Sequence, residues 1–406
     1  MKHRSLLLIL FLATLLPAQA LPLRSVPVEV GPQAARASVG ELRKSVRAKL
    51  EELHSAAEFP GVTAGVVLAD GRSFSVSAGL ADLESKRRLR PSDRMLSGSI
   101  GKTYVAAVML QLVEEGRAGL DDKIERWFGR EAWFARLPNA KDITLRMLMN
   151  HTSGIAEHVL MKEFIARLRE DPDKAWAPEE LISYVLDSKP LFPAGQGWSY
   201  ADTNYILVGM IIERITRNTY YSELRKRILE RLDLDDTIPS NTRVLPGVIT
   251  GYSRPNSPFG FEGRVIIDGR FIINPQMEWT GGGLATTPED LARWAKALYE
   301  GKVIKRESLD EMLKGVEAKT GPGDKYGLGV QIRQSDWGVS YGHSGWFPGY
   351  LSNMEYFADH RVAIAVQFNT DAGARIKKNY RQIVADIAHI VIGEPQAGKP
   401  ATTGAR

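Results

Sequence analysis

The chain has 406 residues, 44% of them hydrophobic and 25% charged, with a formal net charge of +5 and no cysteine. That apolar fraction supports a substantial core and excludes disorder as the main state. The missing cysteines exclude a disulfide framework, a thiol nucleophile, a CxxC zinc site and an iron–sulfur cluster. Residues 1–20, MKHRSLLLILFLATLLPAQA, open with Lys2 and Arg4, run apolar from Leu6 to Leu16 and close on Ala18-Gln19-Ala20. This is the layout of a cleaved secretory signal, and its apolar run falls short of the ~20 residues that a membrane span requires. A periplasmic or secreted protein with no stable membrane span after cleavage is therefore expected. Without Lys2 and Arg4 the charge falls from +5 to +3. The basic run Lys86-Arg87-Arg88 has no interleaved aromatics and reads as a solvated loop, so no nucleic-acid partner is expected.

Residues 21–37 are aperiodic and read as a leader. Ser38 can cap a helix to about Ala57, with Val39, Leu42, Val46, Leu50 and Leu53 on one face. Gly61–Leu68 and Arg72–Ser77 are β-rich runs around Asp70-Gly71, a hairpin signal. Lys102–Glu115 is almost continuously apolar and stops at Gly116, which predicts a helix buried on most sides. From about 120 to 290 the pattern is mainly helical and includes Tyr205–Arg214. Thr287-Pro288-Glu289-Asp290 marks a helix start, with a capping threonine, proline at the first position and acids at the positive end. Tyr326–Ile332, Val339–Gly342, Leu351–Phe357 and Val362–Phe368 read as strands, the last two joined by a turn at Asp359-His360. Ile376–Ile392 reads as a closing helix with Ile383, Ile387 and Ile390 apolar, and residues 393–406 as a flexible tail. There is no internal repeat. The simplest arrangement is α+β: the hairpin and the C-terminal strands share one antiparallel sheet, terminal helices flank it, and an all-helical region is inserted between, all within one unit over 38–392.

Leu96-Ser97-Gly98-Ser99-Ile100-Gly101-Lys102-Thr103 ends like a phosphate-binding loop, but that motif needs glycine where Leu96 stands. The same segment holds Ser99-x-x-Lys102 at a helix start. Three residues is nearly one turn, so hydroxyl and ammonium share a face. A serine needs a base to become nucleophilic, a buried lysine can be one, and the helix N-terminus offers N–H groups to an oxyanion. Taken alone, Ser-x-x-Lys is a common tetrapeptide that also fits a capping serine and a surface lysine. A Gly-x-Ser-x-Gly elbow at Gly342-His343-Ser344-Gly345 fails at Trp346. No His-Glu-x-x-His occurs, and His151 and His158 read as part of a turn, so no metal site and no cofactor are expected.

Two later segments give Ser99 its context: Tyr200-Ala201-Asp202 just before an apolar helix, and His343-Ser344-Gly345-Trp346 in a predicted strand. Ser-x-x-Lys, a second polar triplet and a Lys-Thr-Gly-like triplet, in that order, form the signature of serine β-lactamases and penicillin-binding proteins. Over about residues 40–392 the chain resembles that family, in the branch of class C β-lactamases, D-alanyl-D-alanine carboxypeptidases, D-aminopeptidases and esterases. The supporting segments are ITLRMLMNHTSGI (143–155), FPAGQGWSYADTNYILVGMIIE (192–213) and GGGLATTPEDLARW (281–294). The resemblance implies that Ser99 is the acylated nucleophile, that Lys102 holds or accepts its proton and that Tyr200 relays it. It also implies that the N–H groups of Ser99 and Trp346 form the oxyanion hole and that His343, Ser344 and Gly345 line the far wall.

Two departures bear on substrate. Asp202 stands where the lactamase-type pattern has asparagine, and a carboxylate accepts but does not donate hydrogen bonds and tends to keep Lys102 charged. His343 stands where many relatives have lysine, which weakens recognition of a substrate carboxylate. Both favour a peptidase or esterase over an efficient β-lactamase. The expectation is an exported serine hydrolase, a D-alanyl-D-alanine carboxypeptidase or D-amino-acid peptidase, with a carboxyl esterase or weak class C-like β-lactamase as alternatives. Its partner would be a small peptide, ester or β-lactam substrate. The intact Ser99, Lys102 and Tyr200 argue against a silent binding protein. Gly281-Gly282-Gly283 fits either a loop into the next helix or close backbone approach to the site.

Overall fold

The alternation in Val362-Ala363-Ile364-Ala365-Val366-Gln367-Phe368 shows how the sheet is covered on two unlike faces. In the computed structural model, which describes residues 37–395, Val362, Ile364, Val366 and Phe368 enter one core, whereas Ala363 and Ala365 enter the other. The first core is closed by helix α1 (Val39–Ala56) and by a C-terminal helix. Against the alanine side lies a helix that approaches so closely that a Cβ on Gly65 would sit 2.1 Å from the Pro288 carbonyl oxygen. Small residues on that face are thus a packing requirement.

The principal strands are β1 (Gly61–Val67), β2 (Ser73–Asp82), β3 (Gln331–Ser335), β4 (Gly338–Phe347), β5 (Tyr350–Phe357) and β6 (Val362–Phe368). The principal helices after α1 are α2 (Gly101–Glu114), α3 (Asp202–Thr216), α4 (Pro288–Tyr299) and α5 (Tyr380–Val391). The sheet has nine antiparallel strands, ordered Val316–Glu317, Lys325–Tyr326, β3, β4, β5, β6, β1, β2, Arg87–Arg88. β1 lies between β2 and β6, so the distant ends of the chain meet as expected. α1 carries the predicted Ser38 cap, reinforced by Glu41 in a capping box, and α4 opens on Thr287 with Pro288 at its first turn.

Four readings need correction. Tyr326–Ile332 is two strands, because Gly329 adopts φ +73° and Gly327 bonds back to Val330, which breaks the run into Lys325–Tyr326 and Gln331–Ser335. The closing helix starts at Tyr380, where Asn379 and Gln382 form a capping box; Lys377 just before it is left-handed. The predicted strand ending at Gly342 continues to Phe347 and so carries the whole His343–Trp346 motif. The region 120–290 is not all-helical: Ile238–Pro239 pairs with Leu284–Thr286, which pairs with Met95–Leu96, and two further short hairpins lie between residues 252 and 271. Strands of two or three residues are too short to show a period of two in sequence. The signal and leader readings fall on residues 1–36, and the tail reading mostly on 396–406, outside the described residues. Among the described residues no helix is long and apolar enough to cross a membrane.

Candidate active site

Ser99 sits on one 3-10 turn (Gly98–Ile100) that runs directly into α2. Glycines flank it for a steric reason. A Cβ on Gly98, whose φ is +53°, would fall 2.6 Å from the backbone N and O of Trp346. One on Gly101 would fall 1.7 Å from the Gly282 carbonyl oxygen. The Ser99 turn is therefore wedged between β4 and the Gly281–Gly283 loop, whose backbone approaches it closely. Ser97 anchors it further, donating from its N–H to Leu284 O at 2.9 Å and accepting at its carbonyl from Ser352 Oγ at 2.7 Å. Gly101→Ala is expected to destabilise the fold by about 2 kcal/mol or more through overpacking and to lower activity with it; thermal denaturation that shows no loss would contradict this packing.

Lys102 is fully buried in α2. Its ammonium donates to Ser99 Oγ at 3.1 Å, to an Asp202 carboxylate oxygen and to the Gly281 carbonyl, which uses all three donors. It lies 4.9 Å from the Tyr200 ring centroid. Burial is the largest influence on Lys102 and lowers it, but the Asp202 charge leads the opposing influences, which include its hydrogen bond and the neighbouring Tyr200, and together they hold the amine above its ordinary value. Asp202 is the first residue of α3, and Tyr200 stands two residues before it. The Tyr200 hydroxyl is buried, faces Lys102 and Ser99, and has no hydrogen-bond partner among the described residues. Burial raises it, so it carries its proton at neutral pH.

Trp346 lines the cleft at Ser99. Phe347 and Tyr350 close a two-residue turn at Pro348-Gly349. The antiparallel alternation counted back from that pair turns the Trp346 N–H away from β5, towards Gly98 and Ser99. Ser99, at the start of its helix, presents another N–H without an intrahelical acceptor. Two backbone N–H groups thus lie side by side at the Ser99 turn, the kind of donor pair that an oxyanion hole needs.

The rest of the strand motif is placed differently from expectation. His343 is 1% exposed and is not among the side chains that line the cleft. Its Nδ1 contacts the Ser344 carbonyl at 2.6 Å and its Nε2 the Tyr326 hydroxyl at 2.8 Å. Burial, with Lys102 nearby, pushes it down to about 3, so it is neutral. Ser344 turns to Gln331, and Gly345 backs onto Ser97, where a Cβ would meet the carbonyl oxygen at 1.9 Å. These three support the wall from behind; Trp346 alone of the four faces the cleft.

Two carboxyls were not found from sequence. Glu157 accepts from the Asp202 N–H at 2.6 Å at the start of α3, and Glu278 accepts from the Gly283 N–H at 3.1 Å. Both line the cleft beside Ser99. Burial first, then the Asp202 charge, raises each to about 8. Nothing local marks them: each becomes part of the site only through tertiary packing. The cleft measures about 390 Å³, and Val159, Leu160, Phe259, Met277 and Phe347 supply its apolar wall.

A serine on a helix-opening turn, hydrogen-bonded to a buried lysine and faced by a tyrosine from the segment before α3, defines a serine hydrolase of the β-lactamase and transpeptidase fold. The chain belongs to the beta-lactamase family, whose family model matches residues 46–388. It is 26% identical over 370 residues to penicillin-binding protein 4* of Bacillus subtilis, covering 87% of this chain and 77% of that protein. It is 24% identical over 333 residues to a D-aminopeptidase of Brucella anthropi, covering 81% of this chain but only 59% of that protein. Among solved structures, a D-stereospecific amidohydrolase from Streptomyces sp. superposes with a TM-score of 0.71 at 28% identity, covering 82% of this chain and 97% of that one.

Proposed function

We propose that the protein is an exported peptidase or amidase that removes N-terminal D-amino acids bearing a free amine, through an acyl-enzyme on Ser99. The observation that carries this reading is the charge at the nucleophile. Asp202, Glu157 and Glu278 converge there, and Lys102, already saturated with partners, is the one buried cation among them. A substrate ammonium would supply the missing positive charge and give the two raised carboxyls a reason to ionise. A substrate carboxylate would find a neutral His343 buried behind the wall, and of the cleft-lining side chains only the exposed Arg254 is cationic, set against three carboxyls at Ser99; that balance supports an aminopeptidase over a D-alanyl-D-alanine carboxypeptidase or a β-lactamase. The D-aminopeptidase and D-stereospecific amidohydrolase relatives are consistent with it.

In this reading Ser99 Oγ attacks the scissile carbonyl carbon and its proton passes to Lys102. Lys102 is charged at rest, so it accepts that proton in the fraction of molecules whose amine has lost its own to solvent. The oxyanion sits on the N–H groups of Ser99 and Trp346. The C–N bond breaks as Tyr200 protonates the leaving amine, and Lys102 restores the Tyr200 proton. Water then hydrolyses the ester, releasing the D-amino acid and freeing Ser99. Export rests on the layout of residues 1–20, and the N-terminal mass of protein recovered from periplasm or medium tests it.

The substrate test is a panel of D-alanine and D-phenylalanine amides and peptides, their N-acetyl forms, N-acyl-D-Ala-D-Ala, p-nitrophenyl butyrate and nitrocefin. Free-amine D-substrates are expected to turn over fastest. Glu157→Gln and Glu278→Gln should each raise KM for them about tenfold, the scale of one lost charged hydrogen bond, with a smaller effect on N-acetyl forms. Faster release of D-alanine from N-acyl-D-Ala-D-Ala would make the protein a carboxypeptidase, and rapid nitrocefin turnover a β-lactamase.

A further inference from the structure

We propose that His151, Tyr326 and His343 form a neutral hydrogen-bonded relay that positions Tyr200 for proton transfer at Ser99. The proposal rests on the assignment of Ser99 as nucleophile made above, and extends it to residues that never touch substrate.

The bond directions along the relay are forced by its two ends. The Ser344 carbonyl can only accept, so the His343 Nδ1 at 2.6 Å carries the ring proton. His343 Nε2 is then an acceptor and receives the Tyr326 O–H at 2.8 Å. At the other end the Ala201 N–H at 3.2 Å and the Asn204 amide at 3.1 Å both point at His151 Nδ1, which is therefore unprotonated. His151 carries its proton on Nε2 and donates it to the Tyr326 oxygen at 3.2 Å. Every bond is satisfied with both rings neutral, and only one tautomer of each ring allows it. Both histidines are buried, at 0% and 1% exposure.

The relay touches Tyr200 in two ways. His151 receives the backbone on either side of it: the Ser199 N–H donates to the His151 carbonyl at 3.1 Å, and the Ala201 N–H to its ring. The three rings also pack against the phenol, with centroids at 4.3 Å for His151, 6.1 Å for Tyr326 and 6.2 Å for His343. Among the described residues the Tyr200 hydroxyl has no hydrogen-bond partner, so backbone clamping and ring packing contribute strongly to its position. His151 is held at φ +62° to do this, a conformation that non-glycine residues rarely adopt. His151 comes from the helical region, and Tyr326 and His343 from the sheet, so the relay also ties the two walls of the cleft together behind the tyrosine.

The test combines three variants with two readouts. The rate of Ser99 labelling by a fluorophosphonate probe, and kcat and KM for a D-amino-acid amide, are measured for wild type, Tyr326→Phe, His343→Leu and His343→Gln. The amide nitrogen or oxygen of glutamine reaches where Nε2 stands, so His343→Gln keeps an acceptor for Tyr326. Tyr326→Phe and His343→Leu are expected to slow labelling and kcat by about ten- to a hundredfold with KM within about threefold, the scale of a slightly misplaced proton-transfer group. His343→Gln should recover most of what His343→Leu loses. Long-range nitrogen–proton NMR of the histidine rings should show His151 as the Nε2–H and His343 as the Nδ1–H tautomer, with that lock lost in Tyr326→Phe. Wild-type labelling rate and kcat in Tyr326→Phe, no difference between His343→Gln and His343→Leu, or a different tautomer pair would overturn the relay. Wild-type protein that takes the probe but hydrolyses no amide would sink the substrate reading, and the labelling rates would still decide the relay. Wild-type protein that takes no probe overturns the nucleophile and the relay together.

Discussion

Ser99→Ala is expected to abolish covalent labelling by a fluorescent penicillin or a phosphonate and to lower kcat by about 10⁴-fold or more, the scale seen when the nucleophile of a cooperating set is removed. The expectation is this large because nothing nearby can replace the hydroxyl: the other side chains lining the cleft beside it are carboxyls, a tyrosine, a histidine, the Arg254 guanidinium and apolar groups. The fold should survive the change. Ser99 contributes one hydrogen bond, to Lys102, and that ammonium keeps Asp202 and Gly281. Loss of activity with an unchanged melting temperature therefore separates chemistry from folding. Intact mass after incubation with the probe reads the result directly. An adduct that persists in Ser99→Ala would place the nucleophile elsewhere and remove the basis for the roles of Lys102 and Tyr200.

What could be read from sequence follows from how local each signal is. Ser99 and Lys102 are one helical turn apart, so their pairing needs only α2 to form. Strands of seven residues or more, such as Val362–Phe368, show their alternation, and caps such as Ser38 and Thr287 show their chemistry within three residues. The features that escaped are those that depend on distant packing. Glu157, capping one short 3-10 turn, and Glu278, inside another, belong to the site because those turns meet beside Ser99, 58 and 179 residues away along the chain. His343 sits in a motif that the family resemblance places on the wall, yet an alternating strand sends its ring to Tyr326 while Trp346 reaches the cleft. His151 was legible as part of a turn, and its left-handed backbone agrees. Its ring contacts, to residues 201, 204 and 326, were not legible.

Asp202→Asn is expected to move the acid limb of kcat/KM to lower pH by at least about one unit, which corresponds to about 1.4 kcal/mol in the protonation of Lys102. Lys102 is a base only when neutral, and its raised value keeps the neutral fraction small at pH 7, rising with pH. In the wild-type protein kcat/KM should therefore climb with pH; a flat profile from about 5 to about 10 would contradict a lysine base. Burial, the largest influence on the amine, acts downward, and the Asp202 charge is the leading influence upward. Removing that charge leaves burial poorly opposed, so the amine loses its proton at lower pH. Asparagine also alters the hydrogen bond that orients Lys102, so the plateau height can fall even as the limb shifts, and the limb's position is the quantity to measure. Glu157 and Glu278, raised to about 8 partly by the same carboxylate, also titrate in this window. The comparison is therefore made in the Glu157→Gln, Glu278→Gln background, where the remaining limb belongs to Lys102. A limb that stays in place there, or moves to higher pH, would mean that Asp202 does not govern the lysine and that Ser99 loses its proton by another route.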